Sequence, residues 1–141
     1  MPVMTNTETK EFLNRSLIAT LVTLRQDGSP HASPMWYMYQ DGKFYSGTGR
    51  ESLKVRNIQR DDRVSLCIST HDEPYQYIVV DGTCEIVKGD AKRMSLRIGA
   101  RYLGEKSANA FSEAMIQRIQ RGESVMLVIT PTKILTENNP S

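Results

Sequence analysis

The chain has 141 residues, 39% hydrophobic and 24% charged, with a formal net charge of +2. That length suits one domain, 1–141, with a proper core, and is short for two. The small net charge argues for neither a nucleic-acid nor a membrane partner. No apolar run reaches the length of a membrane span, and polar Met1 to Lys10 has no hydrophobic signal core, so a soluble cytoplasmic protein is expected.

In chain order, Phe12 and Leu13 fall in a short leading helix. The run Ile18 to Leu24, IATLVTL, is rich in strand formers and ends at Gln26-Asp27-Gly28-Ser29-Pro30, a turn whose Asp-Gly pair accepts positive φ. His31 to Tyr39 reads as a second strand. Asp41-Gly42 then signals a hairpin into a third strand, Lys43 to Ser46, followed by a glycine-flanked loop and a short helix. Arg63 to Ser69 alternates Val64, Leu66 and Ile68 against Ser65, Cys67 and Ser69, the period of a half-buried strand. Tyr75 to Val87 is a longer strand with a bulge or bend at Asp81-Gly82.

Asp90 can cap a helix bearing Met94, Ile98 and Tyr102, and after Gly104 a second helix sets Phe111, Met115 and Ile119 on one side. These stripes read as core or dimer contact rather than as part of a cofactor site. Val125 to Thr130 and Lys133 to Thr136 read as two closing strands around Thr130-Pro131, and Asn138 to Ser141 as a frayed tail. Six or seven strands in so short a chain favour a small barrel.

The segment Thr48 to Arg63 is the most informative. Gly49, Arg50, Ser52, Lys54 and Arg56 crowd the start of a helix, where unpaired amides and the positive end of the macrodipole favour an anion. Two readings stand: a phosphate seat, to which Ser52 adds a hydroxyl and Arg50 and Lys54 add charge, or a solvated mixed-charge helix, since Glu51, Asp61 and Asp62 offset much of that charge. Cys67 and Cys84 lie in apolar runs outside any C-x-x-C spacing and read as buried free thiols. His31 and His71 stand alone, so no protein-bound metal is expected.

Four blocks in order, ATLVTLRQDGSPHASPMWYMY, GTGRESLKVRNIQRDDRVSLCI, the Tyr77 to Ile86 strand with Asp81-Gly82-Thr83, and Arg101-Tyr102-Leu103-Gly104, make the chain resemble a known family. It is similar to the pyridoxamine phosphate oxidase-like flavoproteins, and within them to the small deazaflavin-dependent branch. The resemblance implies a mainly β fold with peripheral helices, a six- to seven-stranded split β-barrel of the FMN-binding type. It also implies a homodimer with the cofactor at the subunit interface. Arg50, Ser52 and Lys54 match the family's phosphate site. Ser33, Pro34, Met35 and Trp36 match the strand along the cofactor ring, and Ser46, Gly47 and Thr48 fall where the ribityl chain would pass. Tyr75 and Tyr77 would approach the ring from the partner subunit.

The implied activity is hydride transfer between the cofactor and a conjugated or quinone-like small molecule, chemistry that the cofactor itself supplies. Coenzyme F420 is the favoured cofactor, with Lys54, Arg56 and Arg60 available to its anionic tail, and FMN is the alternative. Haem is a third option, which would require His31 or His71 to point into the pocket. A non-catalytic cofactor-binding protein is the remaining reading. Vitamin B6 oxidation is not expected, because the arginine- and histidine-rich C-terminal portion of the full-length oxidases has no counterpart after Ile134 to Asn138.

Overall fold

The computed structural model describes residues 3–87 and 91–139. The element order is α1 (Asn6–Leu13), β1 (Ala19–Leu24), β2 (Pro30–Met35), β3 (Met38–Gln40), β4 (Lys43–Gly49), α2 (Leu53–Arg60), β5 (Arg63–Ser69), β6 (Tyr75–Val87), α3 (Ala91–Leu103), α4 (Glu105–Gln120) and β7 (Ser124–Asn139). All seven strands join one antiparallel sheet in the order β2-β1-β5-β6-β7-β4-β3. The sheet does not close by hydrogen bonds: its two edges, β2 and β3, are joined only by Trp36-Tyr37, and this gap is the split in the barrel.

Local chemistry explains most boundaries. Thr5 caps α1 through a reciprocal box with Glu8, each side chain satisfying the other residue's amide. In the β1–β2 turn, Asp27 Oδ1 accepts from the Ser29 amide at 3.0 Å and its hydroxyl at 2.6 Å, while Gly28 takes φ 85°. Asp41 and Gly42 both have positive φ, as a two-residue hairpin turn of this twist requires.

Four expectations change. The strand expected over His31 to Tyr39 is two strands, because at Trp36-Tyr37 the chain leaves β1 for the other end of the sheet and its peptide groups bond to α3 instead. The third strand continues past Ser46 to Gly49, its last residues pairing with β7 rather than forming a loop. The two closing strands are one, β7, which runs through Pro131 because the register shifts beside Asp81/Gly82 and leaves an extra residue at Thr132. That strand reaches Asn139, paired with Tyr75, where a frayed tail was expected; Pro140 and Ser141, like the expected cap Asp90, lie outside the described residues.

The first half of β7 is buried on both faces. Val125, Leu127 and Ile129 enter the main core with Phe12, Leu21, Phe44 and Leu66, whereas Met126 and Val128 face a second cluster with Met38, Met94 and Ile98 beneath α3. Strands covered on both sides read as continuous apolar runs, as VMLVI does. Fully buried side chains such as Phe44 and Leu127 each contribute roughly 1.5–3 kcal/mol by removal from water. Helix α2 is held to β1 by a buried pair, Asn57 Nδ2 donating to Thr23 Oγ1 at 3.0 Å. Among the described residues, no helix is long and apolar enough to cross a membrane.

Candidate functional site: an apolar cleft ending at a helix N-terminus

A cleft of about 430 Å³ opens where the end of β2, the middle of β4, the start of α2 and the α3–α4 hairpin converge. Its size is that of a small-molecule site, and its walls are mostly apolar. Six of the residues proposed from sequence line it: Pro34, Met35, Trp36, Ser46, Gly47 and Lys54. Gly47 keeps the floor open, since a Cβ there would stand 3.9 Å from Met115 Sδ and Cε.

The start of α2 forms the polar end. Ser52 is the N-cap with extended backbone, yet its side chain makes no capping bond, and its buried Oγ has no partner among the described residues. Its amide bonds back to Gly49 O at 3.1 Å, while the Arg50 amide bonds across to Glu123 O at 2.8 Å, tying the start of α2 to the turn before β7. Lys54 sits half-buried at the cleft with no carboxylate in contact among the described residues, and burial lowers its pKa from the ordinary lysine value. Arg50 is exposed, its guanidinium 3.4 Å from where a Cβ on Gly122 would stand.

The remaining sequence-proposed residues lie elsewhere. Ser33 is half-buried with an unpartnered buried hydroxyl, and Thr48 is half-buried; neither lines the cleft. Tyr75 and Tyr77 stand at the start of β6, outside the cleft of their own chain. The Tyr77 phenol faces Glu137, whose hydrogen bond and charge, with some burial, raise its pKa. Arg60 is already committed, donating to Leu24 O at 2.6 Å and Asn57 Oδ1 at 3.1 Å. Neither histidine lines the cleft: His31 lies in β2 with Nδ1 3.5 Å from Arg25, and His71 is exposed in the loop before β6. Among the described residues no group of three or more potential ligands could hold a metal ion. Cys84 is buried, which pushes its thiol up to about 12, but Cys67 is only half-buried, on the outer face of β5, contrary to the expectation of two buried thiols.

Five lining residues were not foreseen: Ile18, Ile98, Phe111, Met115 and Met126. Ile98 also belongs to the second core cluster, as its stripe suggested, whereas Phe111 and Met115 form a cleft wall instead. Helical spacing marks an apolar face without saying whether it meets a core or a cavity.

The residues fit a ring-and-phosphate cofactor. A cleft with apolar and methionine walls ends at a helix start that offers, among the described residues, an unpartnered hydroxyl and an ammonium without a carboxylate partner. The profile describing pyridoxamine 5'-phosphate oxidase matches residues 5–138. The chain belongs to the pyridoxamine 5'-phosphate oxidase family. This family includes flavin-binding oxidoreductases, and the open seven-stranded sheet is its split barrel. A search of the curated proteins finds no match. Among solved structures, the chain is similar to the conserved hypothetical protein Rv2991 of Mycobacterium tuberculosis, with 27% identity, a TM-score of 0.83, and 97% of this chain and 86% of that one covered. It is also similar to an F420 reductase, at 27% identity and a TM-score of 0.71 over 89% of this chain and 94% of that one. A FAD-binding protein of Mesorhizobium loti shares the fold at 19% identity and a TM-score of 0.67, covering 96% and 95% of the two chains.

Proposed function

We propose that this protein is an F420-dependent oxidoreductase, acting in the cytoplasm on conjugated or quinone-like small molecules. The observation that carries the reading is the pairing of an apolar cleft with an unsatisfied anion seat, the buried Ser52 hydroxyl and half-buried Lys54 at the N-terminus of α2. Ser52, Lys54 and the first amides of α2 would hold the phosphate. Ser46 and Gly47 would flank the chain leading from it, and Pro34, Met35 and Trp36 would border the ring. When bound, the cofactor supplies hydride transfer at its central ring. The protein's part is to orient that ring and to exclude water with the Phe111, Met115 and Met126 wall.

Two observations support F420 over FMN. One is the 27% identity to a protein named as an F420 reductase. The other is that exposed Arg50 and Arg56 leave positive charge beyond the seat for an anionic tail, a role from which Arg60 is withdrawn by its own bonds.

A homodimer completes the proposal. The pairings Pro34–Thr20–Cys67–Val79–Leu135 draw one row across the outer face of β2, β1, β5, β6 and β7, and its apolar members remain partly exposed, Leu135 by 49%. Pro34 belongs both to this row and to the cleft, so a second copy seated there would adjoin the site and could bring Tyr75 and Tyr77 to it.

Fluorescence titration with F420 and, separately, FMN tests the reading. Tight F420 binding that weakens roughly 10- to 100-fold in Lys54→Ala at unchanged fold is expected, the loss of one charge-assisted hydrogen bond. Preference for FMN would move the protein to the FMN oxidoreductases. Binding of neither would overturn the cofactor assignment.

A further inference from the structure

Two adjacent residues of α3 hold two chain segments that carry the cleft wall at the end of the β1–β2 pair. The Tyr102 hydroxyl donates to Leu17 O at 2.7 Å and accepts from the Tyr37 amide at 3.1 Å. The first of these peptide groups adjoins Ile18 and the second adjoins Trp36, both of which line the cleft. The Tyr102 ring stacks on Trp36 with centroids 4.8 Å apart and planes 3° from parallel. Arg101 donates to Tyr37 O at 3.0 Å, Asn14 O at 3.2 Å and Arg15 O at 2.7 Å, and its guanidinium lies 5.1 Å from the Tyr37 ring centre. One turn earlier on α3, Ile98 lines the cleft directly.

Trp36-Tyr37 is the crossover between the sheet's two edges, where strand pairing cannot fix the backbone. Its peptide groups need other partners, and α3 supplies them. We propose that Arg101 and Tyr102 are positioning residues, which preform the cleft by locking Ile18 and Trp36, the residues just beyond the Ala19–Met35 pair that ends the β1–β2 ladder, against α3. Without them the ordering of that wall would fall on the ligand and would weaken binding. The inference rests on the cofactor reading only for the identity of the natural ligand.

The test uses the full chain with Tyr102→Phe, which keeps the stack and removes the hydroxyl, and with Arg101→Lys, which keeps the charge and loses the three-carbonyl fork. Trp36 is the only tryptophan, so acrylamide quenching of its emission reports the wall alone. The expected result is faster amide exchange at Tyr37 with the strands unaffected, greater Trp36 quenching, and affinity lowered roughly three- to tenfold. Affinity is read with F420, with FMN and with 1-anilinonaphthalene-8-sulfonate, an anionic aromatic probe that does not depend on the cofactor assignment. Failure of wild type to bind F420 or FMN would refute the proposed function, while the probe would still decide this one. Unchanged Tyr37 exchange, unchanged quenching, uniform acceleration of exchange throughout the fold, or unchanged probe affinity would each overturn the positioning role.

Discussion

Gly82 stands at the register shift between β6 and β7, and replacing it with alanine should be among the costliest small changes in the sheet. A Cβ built there would lie 2.3 Å from Thr130 O, 3.1 Å from Thr130 C and 3.2 Å from Pro131 Cα. All three are backbone atoms of β7 where it pairs with β6, so no side-chain rotation relieves the clash. Relief requires the strands to part by about 1 Å, against packing as dense as a crystal. Overpacking of this kind costs roughly 1–3 kcal/mol, and the reduced freedom of an unfolded alanine returns about 0.4–1 kcal/mol. A net loss near 1.3 kcal/mol should lower the melting temperature by roughly 3–7 °C at this chain length. Calorimetry, with urea melts to check that the m-value holds, would measure it. Gly47→Ala is the internal control, since its nearest neighbours lie at 3.9 Å and its stability should be little changed. A Gly82→Ala protein melting within 2 °C of wild type, on the order of a few tenths of a kcal/mol, would refute the claim that steric exclusion fixes the bulge.

Burial lowers the Lys54 pKa in the folded chain, so the unfolded chain holds that proton to higher pH. The stability cost of its charge is therefore fully present below the folded pKa and is relieved as pH rises toward 10.5, whereas anion affinity should fall over the same range. Lys54→Met should abolish both trends, seen in urea melts and in phosphate-ligand titrations against pH. Gly99→Ala should leave stability within about 1 kcal/mol, as helix propensity offsets a 3.0 Å approach to Phe111 Cδ1, but should press that ring toward the cleft and change ligand affinity. Leu135→Arg should yield a folded monomer by light scattering and circular dichroism, because the side chain is already 49% exposed in the single chain and the monomer fold does not depend on it; a dimer unaffected by it would place the interface elsewhere.

What could be read from the sequence followed from how locally each feature is determined. Asp27-Gly28 and Asp41-Gly42 announce their turns because the required φ belongs to those residues alone, and the β5 alternation announces a half-buried strand. The start of α2 is legible for the same reason, its charge and capping residues being consecutive. The break at Trp36-Tyr37 was not, since its cause is the bonding of Arg101 and Tyr102 from far along the chain. Pro131 looked like a strand end because the shift that accommodates it lies in the partner strand at Gly82. Phe111 and Met115 kept the same helical spacing as core residues, and only the tertiary arrangement makes them a wall.

The start of α2, the proposed anion seat, is also a late event in the life of the chain. Gly49 pairs with Ser124, and the Arg50 amide bonds to Glu123, so the β4–α2 junction is completed by residues from the other half of the sequence. Contacts of such separation form slowly, after local hairpins like β1–β2 and β3–β4. Recovery of ligand binding during refolding should therefore lag behind recovery of strand signal in circular dichroism, so that binding competence becomes a clock for the final closure of the β4–β7 seam.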